Sequence, residues 1–252
     1  MSSEKASALV LRVVEFSETS SILTLFTREF GKIHGLAKGA RRPKSPFESA
    51  LDLLGLCRIV FLAKSSEALD LLTEAKLERR FRPPARDLPR LYAGYYVAEL
   101  LNELTHDRDP HPELFDFACD TLAALSGGEA NVAALVLRFE LNTLRLLGHL
   151  PALDTCVGCG AVLPTSPRVA FGAGVGGVLC VRCRPGKRQV VSLTAAAIDA
   201  MRRLASDQPA PHTVGALDRR TYGELRGVVN QYLAHLLGHR PRMQSYLSLL
   251  SA

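Results

Sequence analysis

The chain has 252 residues, 47% of them hydrophobic and 22% charged, with a formal net charge of +6. This composition excludes a disordered chain, and the length is enough to bury a core without staples. No apolar run reaches membrane-spanning length, and the start MSSEKASALVLRVVEF lacks the regions of a secretory signal, so a cytoplasmic protein is expected.

The charge is unevenly spread. Residues 1–80 carry 13 basic and 10 acidic groups, residues 81–155 carry 6 and 11, and residues 156–252 carry 12 and 4. Two basic segments flank an acidic middle. Separate basic surfaces suit a polyanion, because phosphate contacts release condensed counterions. A merely solvated surface is the plainer reading of the same numbers.

In chain order, residues 6–16 and 20–27 are β-branched and apolar, and GKIHGLAK (31–38) follows a glycine turn signal. LDLLGLCRIVFLAK (51–64) and a segment near 67–78 complete five short runs. Close spacing without helix-length gaps predicts a small antiparallel barrel or sandwich. Five strands suit an OB-fold, and an SH3-like barrel fits nearly as well.

The three prolines of RPPARDLP (82–89) mark a change of period. Beyond them Leu91, Tyr95, Ala98 and Leu101 share a helical face, HDRDPHPEL (106–114) breaks the helix, and 114–125 begins another. A third helix, about 130–148, has two apolar stripes and is expected to be buried on much of its circumference; GHLP (148–151) ends it. A helix over 192–205 should be capped by Ser192 or Thr194, and a final helix over 218–237 carries Leu225, Val228, Val229, Tyr232, Leu233 and Leu236 on one side.

Cys57 and Cys119 lie in apolar surroundings and read as buried structural thiols. Cys156, Cys159, Cys180 and Cys183 form two CxxC pairs separated by 20 residues. Two such turns can each aim two thiolates at one ion and close a tetrahedral zinc site, with Gly158 and Gly160 easing the first turn. Disulfides are disfavoured in the cytosol, a redox CxxC needs one pair, and an iron–sulfur cluster fits this spacing less well. With all four positions taken by protein, one structural Zn2+ is expected, folding a glycine-rich segment with little core of its own.

Lys38, Arg41, Arg42 and Lys44 lie within seven residues after the third strand, and Gly39 and Pro43 mark a loop. Cations at a loop tip can contact phosphates without reading sequence, and Phe26, Phe30, His34 and Phe47 lie nearby as candidate stacking rings. The alternatives are core rings and a solvated turn. His106 and His111, with Asp107 and Asp109, could make a weak metal site, though a solvated turn is the plainer reading. No phosphate loop, GxSxG, HExxH or usable GxGxxG occurs, and no catalytic constellation assembles, so no enzyme is expected.

Residues 31–45, 139–160 (FELNTLRLLGHLPALDTCVGCG), 176–183 (GGVLCVRC) and 232–247 (YLAHLLGHRPRMQSYL) together resemble the RecO family, in family order and across nearly the whole chain. The resemblance implies an α+β multidomain protein. An N-terminal OB-fold β-barrel at 1–80 precedes an α-helical domain split between 81–155 and 189–252, with an inserted four-cysteine zinc finger at 156–188. It implies a mediator of DNA repair and recombination that binds single- and double-stranded DNA and anneals complementary strands. The implied partners are RecR and the C-terminal tail of the single-stranded-DNA-binding protein, with indirect loading of RecA and nucleoid association. Carried over residue by residue, the DNA contacts are Arg28, Lys32, Lys38, Arg41, Arg42 and Lys44. Arg182, Arg184, Lys187 and Arg188 are added at the finger, and Arg219, Arg220, Arg240 and Arg242 are candidates for the acidic tail. Three alternatives stay open: an RNA- or ribosome-associated OB and zinc-finger protein, a zinc-containing transferase or nuclease with a non-local site, and a protein-interaction scaffold.

Overall fold

The computed structural model describes residues 2–47, 50–64, 68–128, 131–163, 166–206 and 217–249. The chain divides into two compact units, Met1–Glu129 and Ala130–Ala252.

The first unit opens with five strands: β1 (Ser3–Glu15), β2 (Ser21–Thr27), β3 (Gly31–Ala37), β4 (Leu56–Leu62) and β5 (Asp70–Arg79). They close into a barrel in the order β1-β2-β3-β5-β4. That order, with β3 and β5 parallel through Gly35–Ala37 and Asp70–Leu72, is the OB-fold and decides against the SH3-like alternative. β1 serves two partners, β4 along its first half and β2 along its second, with a bulge between Val10 and Arg12. A bulge bends a strand, which lets one long strand turn the corner of a small barrel. Alternating side chains Ala6, Ala8 and Val10 join Leu23, Leu25, Ile33, Ile59 and Phe61 in the barrel core. The run 51–64 is not one strand. Leu54 sits at φ +63, and the Gly55 amide bonds to the Asp52 carbonyl, so the chain turns before β4 begins. Of the fifth run, residue 67 lies outside the described residues.

Two helices follow, α1 (Leu88–Leu104) and α2 (Pro112–Gly127). The Asp87 side chain caps the first, and Pro112 starts the second two residues earlier than the apolar pattern suggests. The expected face of α1 is corrected. Leu91 and Tyr95 are only half-buried, while Ala93, Tyr96, Val97, Leu100 and Leu104 join Ala98 and Leu101 inside. The helix packs on β1 and on α2 at once, so no single stripe describes it. The turn between the helices docks on the barrel. The Arg108 amide donates to the Lys32 carbonyl at 2.9 Å, and its guanidinium reaches the fully buried Asp70 carboxylate. Gly31, at φ +67, lies so close to the Asp109 backbone that a Cβ would overlap it.

The second unit begins with α3 (Val132–Leu146), buried almost all round as expected. A three-stranded sheet follows, in the order β7 (Gly177–Leu179), β6 (Arg168–Gly172), β8 (Val190–Thr194). Then come α4 (Ala195–Leu204), α5 (Arg219–Leu237) and a 3-10 helix, Arg242–Leu249. Thr194 is the cap of α4, accepting from the Ala197 amide, whereas Ser192 lies within β8. Inside this unit the wholly buried Glu140 of α3 takes both guanidinium nitrogens of Arg226 on α5. A carboxylate without water is costly unless paired and hydrogen-bonded in this way. Asn142 donates to the Leu204 carbonyl at 2.6 Å and ties α3 to the end of α4.

Candidate metal centre and nucleic-acid interface

Each CxxC pair forms the same small turn. The Cys156 carbonyl accepts from the amides of Cys159 at 3.3 Å and Gly160 at 2.8 Å; the Cys180 carbonyl accepts from Cys183 and Arg184, both at 3.1 Å. The Val157 amide also donates to the Val178 carbonyl of β7, which holds the first turn beside the strand that leads into the second. Gly158 is required by close approach, since a Cβ there would lie 2.9 Å from the Cys183 Cβ.

The four sulfurs lie within 4.8 Å of one another, so this cluster can hold a metal ion. Cys159 and Cys180 have their sulfurs 3.8 Å apart, and all four cysteines are free thiols. Tetrahedral bonds of about 2.3 Å would place sulfurs about 3.8 Å apart, so the donor set fits such an ion. Amides support the sulfurs: Cys180 N–H and Gly158 N–H reach the Cys156 sulfur at 3.3 and 3.4 Å. Those bonds, the one from Cys180 foremost, bring the Cys156 thiol down to about 6. Hydrogen bonds with Cys180 and then Cys159 push the Cys183 thiol up to about 12. Four thiolates cannot share this space without a cation to offset part of their charge. Cys57 and Cys119 are buried and apart from the cluster, with burial raising their thiols to about 12 and about 11. The suggested His106–His111 metal site does not form among the described residues. There His111 turns to Asp109 at 3.1 Å, while Asp107 is taken by His34 at 3.2 Å.

The cationic loop follows β3, and Lys38, Arg41, Arg42 and Lys44 are all exposed. It leans on the β1–β2 turn: the Arg41 amide donates to the Thr19 carbonyl at 3.1 Å and its guanidinium to Glu15 at 2.9 Å. Surface pairs of this kind contribute little, so a phosphate can replace Glu15. Arg28 and Lys32 are placed differently. Arg28 makes a two-pronged pair with Asp116 on α2, both distances 2.9 Å. Lys32 is buried and spends its ammonium on the carbonyls of Asn102 and Thr105 at 2.7 and 2.8 Å. The candidate stacking rings are also corrected. Phe26 and Phe47 are core, Phe30 packs edge-on to Phe61, and His34 bonds to Thr24 and Asp107. These partners lie far off in sequence, 88 residues for Arg28 and Asp116 and 73 for His34 and Asp107, and the acidic middle segment is their only local signal.

Arg182, Arg184, Lys187 and Arg188 are exposed around the second CxxC turn. Arg182 and Arg184 rim a cleft of about 460 Å³ floored by Val169, Ala170 and Leu179. Of the four arginines expected to meet an acidic tail, Arg219 and Arg242 are exposed, and Arg220 lies 3.7 Å from Glu224. Arg240 lines two clefts between α5 and the final 3-10 helix, of about 660 and 440 Å³, shared with Asn230 and Gln244. No described helix is long and apolar enough to cross a membrane.

Two family models cover the chain: Recombination protein O N terminal matches residues 1–81, and Recombination protein O C terminal matches residues 85–245. A DNA repair protein RecO of Rhodopirellula baltica is 44% identical, the match covering 95% of this chain and 97% of that one. A DNA repair protein RecO of Anaeromyxobacter dehalogenans is 36% identical over 98% of this chain and 96% of its own. One of Myxococcus xanthus is 32% identical over 96% and 95%.

Proposed function

The chain belongs to the RecO family of DNA repair proteins, and from that premise we propose that it works without catalysis, by binding DNA electrostatically and bringing complementary strands together. The observation that carries this reading is the exposed loop with Lys38, Arg41, Arg42 and Lys44 at the end of an OB barrel. Two strands repel along their whole length, and a protein with several cationic surfaces screens that repulsion while releasing counterions. Arg182, Arg184, Lys187 and Arg188 at the finger are the second such surface. Lys32 is left out of the contact set, because its ammonium is already met within the fold; Arg28 stays in it, since its pair with Asp116 is as exposed as that of Arg41 with Glu15.

The ion we assign to the four cysteines is Zn2+. Held by Cys156, Cys159, Cys180 and Cys183 it leaves no open position, so it organises the β6–β8 segment and takes no chemical step. Arg240, which lines the clefts beside α5, with the exposed Arg219 and Arg242, is the proposed seat for the acidic C-terminal tail of a single-stranded-DNA-binding protein. RecR is the proposed co-mediator, and RecA loading the outcome. The cytoplasm, on the nucleoid, is the proposed place of action.

Annealing of two complementary labelled oligonucleotides tests the reading. The protein should speed it severalfold, and the double variant Arg41→Glu, Arg42→Glu should lose most of that gain while staying folded. Annealing no faster than without protein would overturn the proposal; full activity in the double variant would remove the loop from it.

A further inference from the structure

Phe16 stands out by its exposure. It is 63% exposed, and no other Phe or Tyr among the described residues is as open to solvent. It stands where β1 ends and the chain turns towards β2. The turn is tightly tied: the amides of Phe16 and Ser17 donate to the Ser20 carbonyl at 3.0 and 3.2 Å, and the Ser20 amide to the Ser17 hydroxyl at 3.2 Å. The ring is therefore presented on fixed backbone, which lowers the ordering cost of binding something flat against it. Val14, at 39% exposure, lies two residues back along β1.

What this ring meets follows from its neighbours. The cationic loop is fastened to the same turn through Arg41, which touches Thr19 and Glu15. Glu15 and Glu18 offset two of the loop's four cations, and the remainder is positive. A flat apolar ring on the turn to which a cationic loop is fastened matches a polyanion that carries flat rings of its own. In a duplex those rings are stacked on each other and offer only their edges, whereas a single strand can turn a base face outward.

We propose that Phe16 is a base-stacking residue, on which a nucleobase of single-stranded DNA lies while the adjoining phosphates follow Lys38, Arg41, Arg42 and Lys44. This deepens the DNA-binding reading above and rests on it. The ring gives the barrel a preference for single strands that the cations alone cannot give, since phosphates are common to both forms.

The chain contains no tryptophan, so Phe16→Trp places a single tryptophan, excited at wavelengths the tyrosines do not absorb, at the proposed contact in the full-length protein. With an unlabelled oligothymidine, its emission should be quenched in step with binding followed by anisotropy of a labelled oligonucleotide; duplex of equal length should quench little. Phe16→Ala should weaken single-strand affinity roughly tenfold, the size expected for one stacked base. It should leave duplex affinity, the salt slope and the thermal midpoint unchanged, whereas Arg42→Ala should lower the salt slope for both forms. Binding without quenching, or equal quenching by duplex, would overturn the stacking role and leave the DNA reading standing. Absence of binding to any oligonucleotide at low salt would overturn both.

Discussion

Lys32, on a barrel strand, illustrates how a residue's meaning depends on what lies across from it. By charge alone it is a phosphate contact. In the fold it is a buried clamp, its ammonium shared by two carbonyls at the end of α1, with the Asp107 carboxylate 3.6 Å away. Hydrogen bonds from a charged group of this kind contribute roughly 1.5–3 kcal/mol. Lys32→Ala should therefore lower unfolding stability by about 2 kcal/mol in urea titration, while the folded variant keeps its affinity for single-stranded DNA. Unchanged stability with lost binding would return Lys32 to the interface. Nothing near position 32 could announce this, because the accepting carbonyls lie 70 and 73 residues on. The loop cations are legible because their setting is local: a strand end, Gly39, Pro43 and no nearby acid among the described residues other than those of the β1–β2 turn. Phe16 escapes the sequence for the opposite reason. It sits at the end of an apolar strand pattern, and only the turn geometry shows that it points to no core.

Elements read well from sequence where their own periodicity decides them. The alternation of β1, β2 and β4 and the apolar side of α5 need no partner to be visible. The strands β6 and β7 are not visible, since one has five residues and the other three, in a glycine-rich segment whose order comes from the cysteine turns on either side. That dependence predicts the effect of metal removal. Chelation, or Cys156→Ser with Cys159→Ser, should lower the thermal midpoint and release about one zinc per chain by metal analysis; a metal-free protein with an unchanged midpoint would contradict the assignment. The helix α5 carries a pH signature of its own. Asp218 caps it, and its carboxyl is held below the ordinary range, first by the Thr221 hydroxyl and then by the Thr221 and Arg220 amides. A folded value below the unfolded one means that the cap stabilises fully above about pH 4 and loses its contribution as the pH falls through the folded value. The stability gap between the protein and Asp218→Asn should accordingly shrink on acidification below about pH 4, and a gap constant from neutral pH down to strong acid would show that the carboxylate is not the source.

Across the whole molecule the acidic groups take on a definite task. In the first unit Asp116, Asp107 and Asp70 meet Arg28, His34 with Lys32, and Arg108. In the second unit Glu140, Asp154, Asp199 and Glu224 are each paired with an arginine, and Asp218 caps a helix. Positive charge is thus met by acids where elements pack and stays in excess and exposed at the barrel loop and the finger. Net charge per segment points to a polyanion, but only the pairings separate the cations that hold the fold from those that face solvent.

The measurement that bears most directly on this allocation is the salt dependence of affinity for a fluorescent single-stranded oligonucleotide, made with the intact chain and with Arg41→Ala, Arg42→Ala. Each phosphate contact on a single strand contributes about 0.7 to the slope of log affinity against log salt. The intact chain should show a steep negative slope, and the double variant one shallower by about 1.4, with weaker binding at every salt concentration. Equal slopes for the two proteins would mean that these arginines do not touch the phosphates, and a flat slope for both would contradict the electrostatic account of what the protein does.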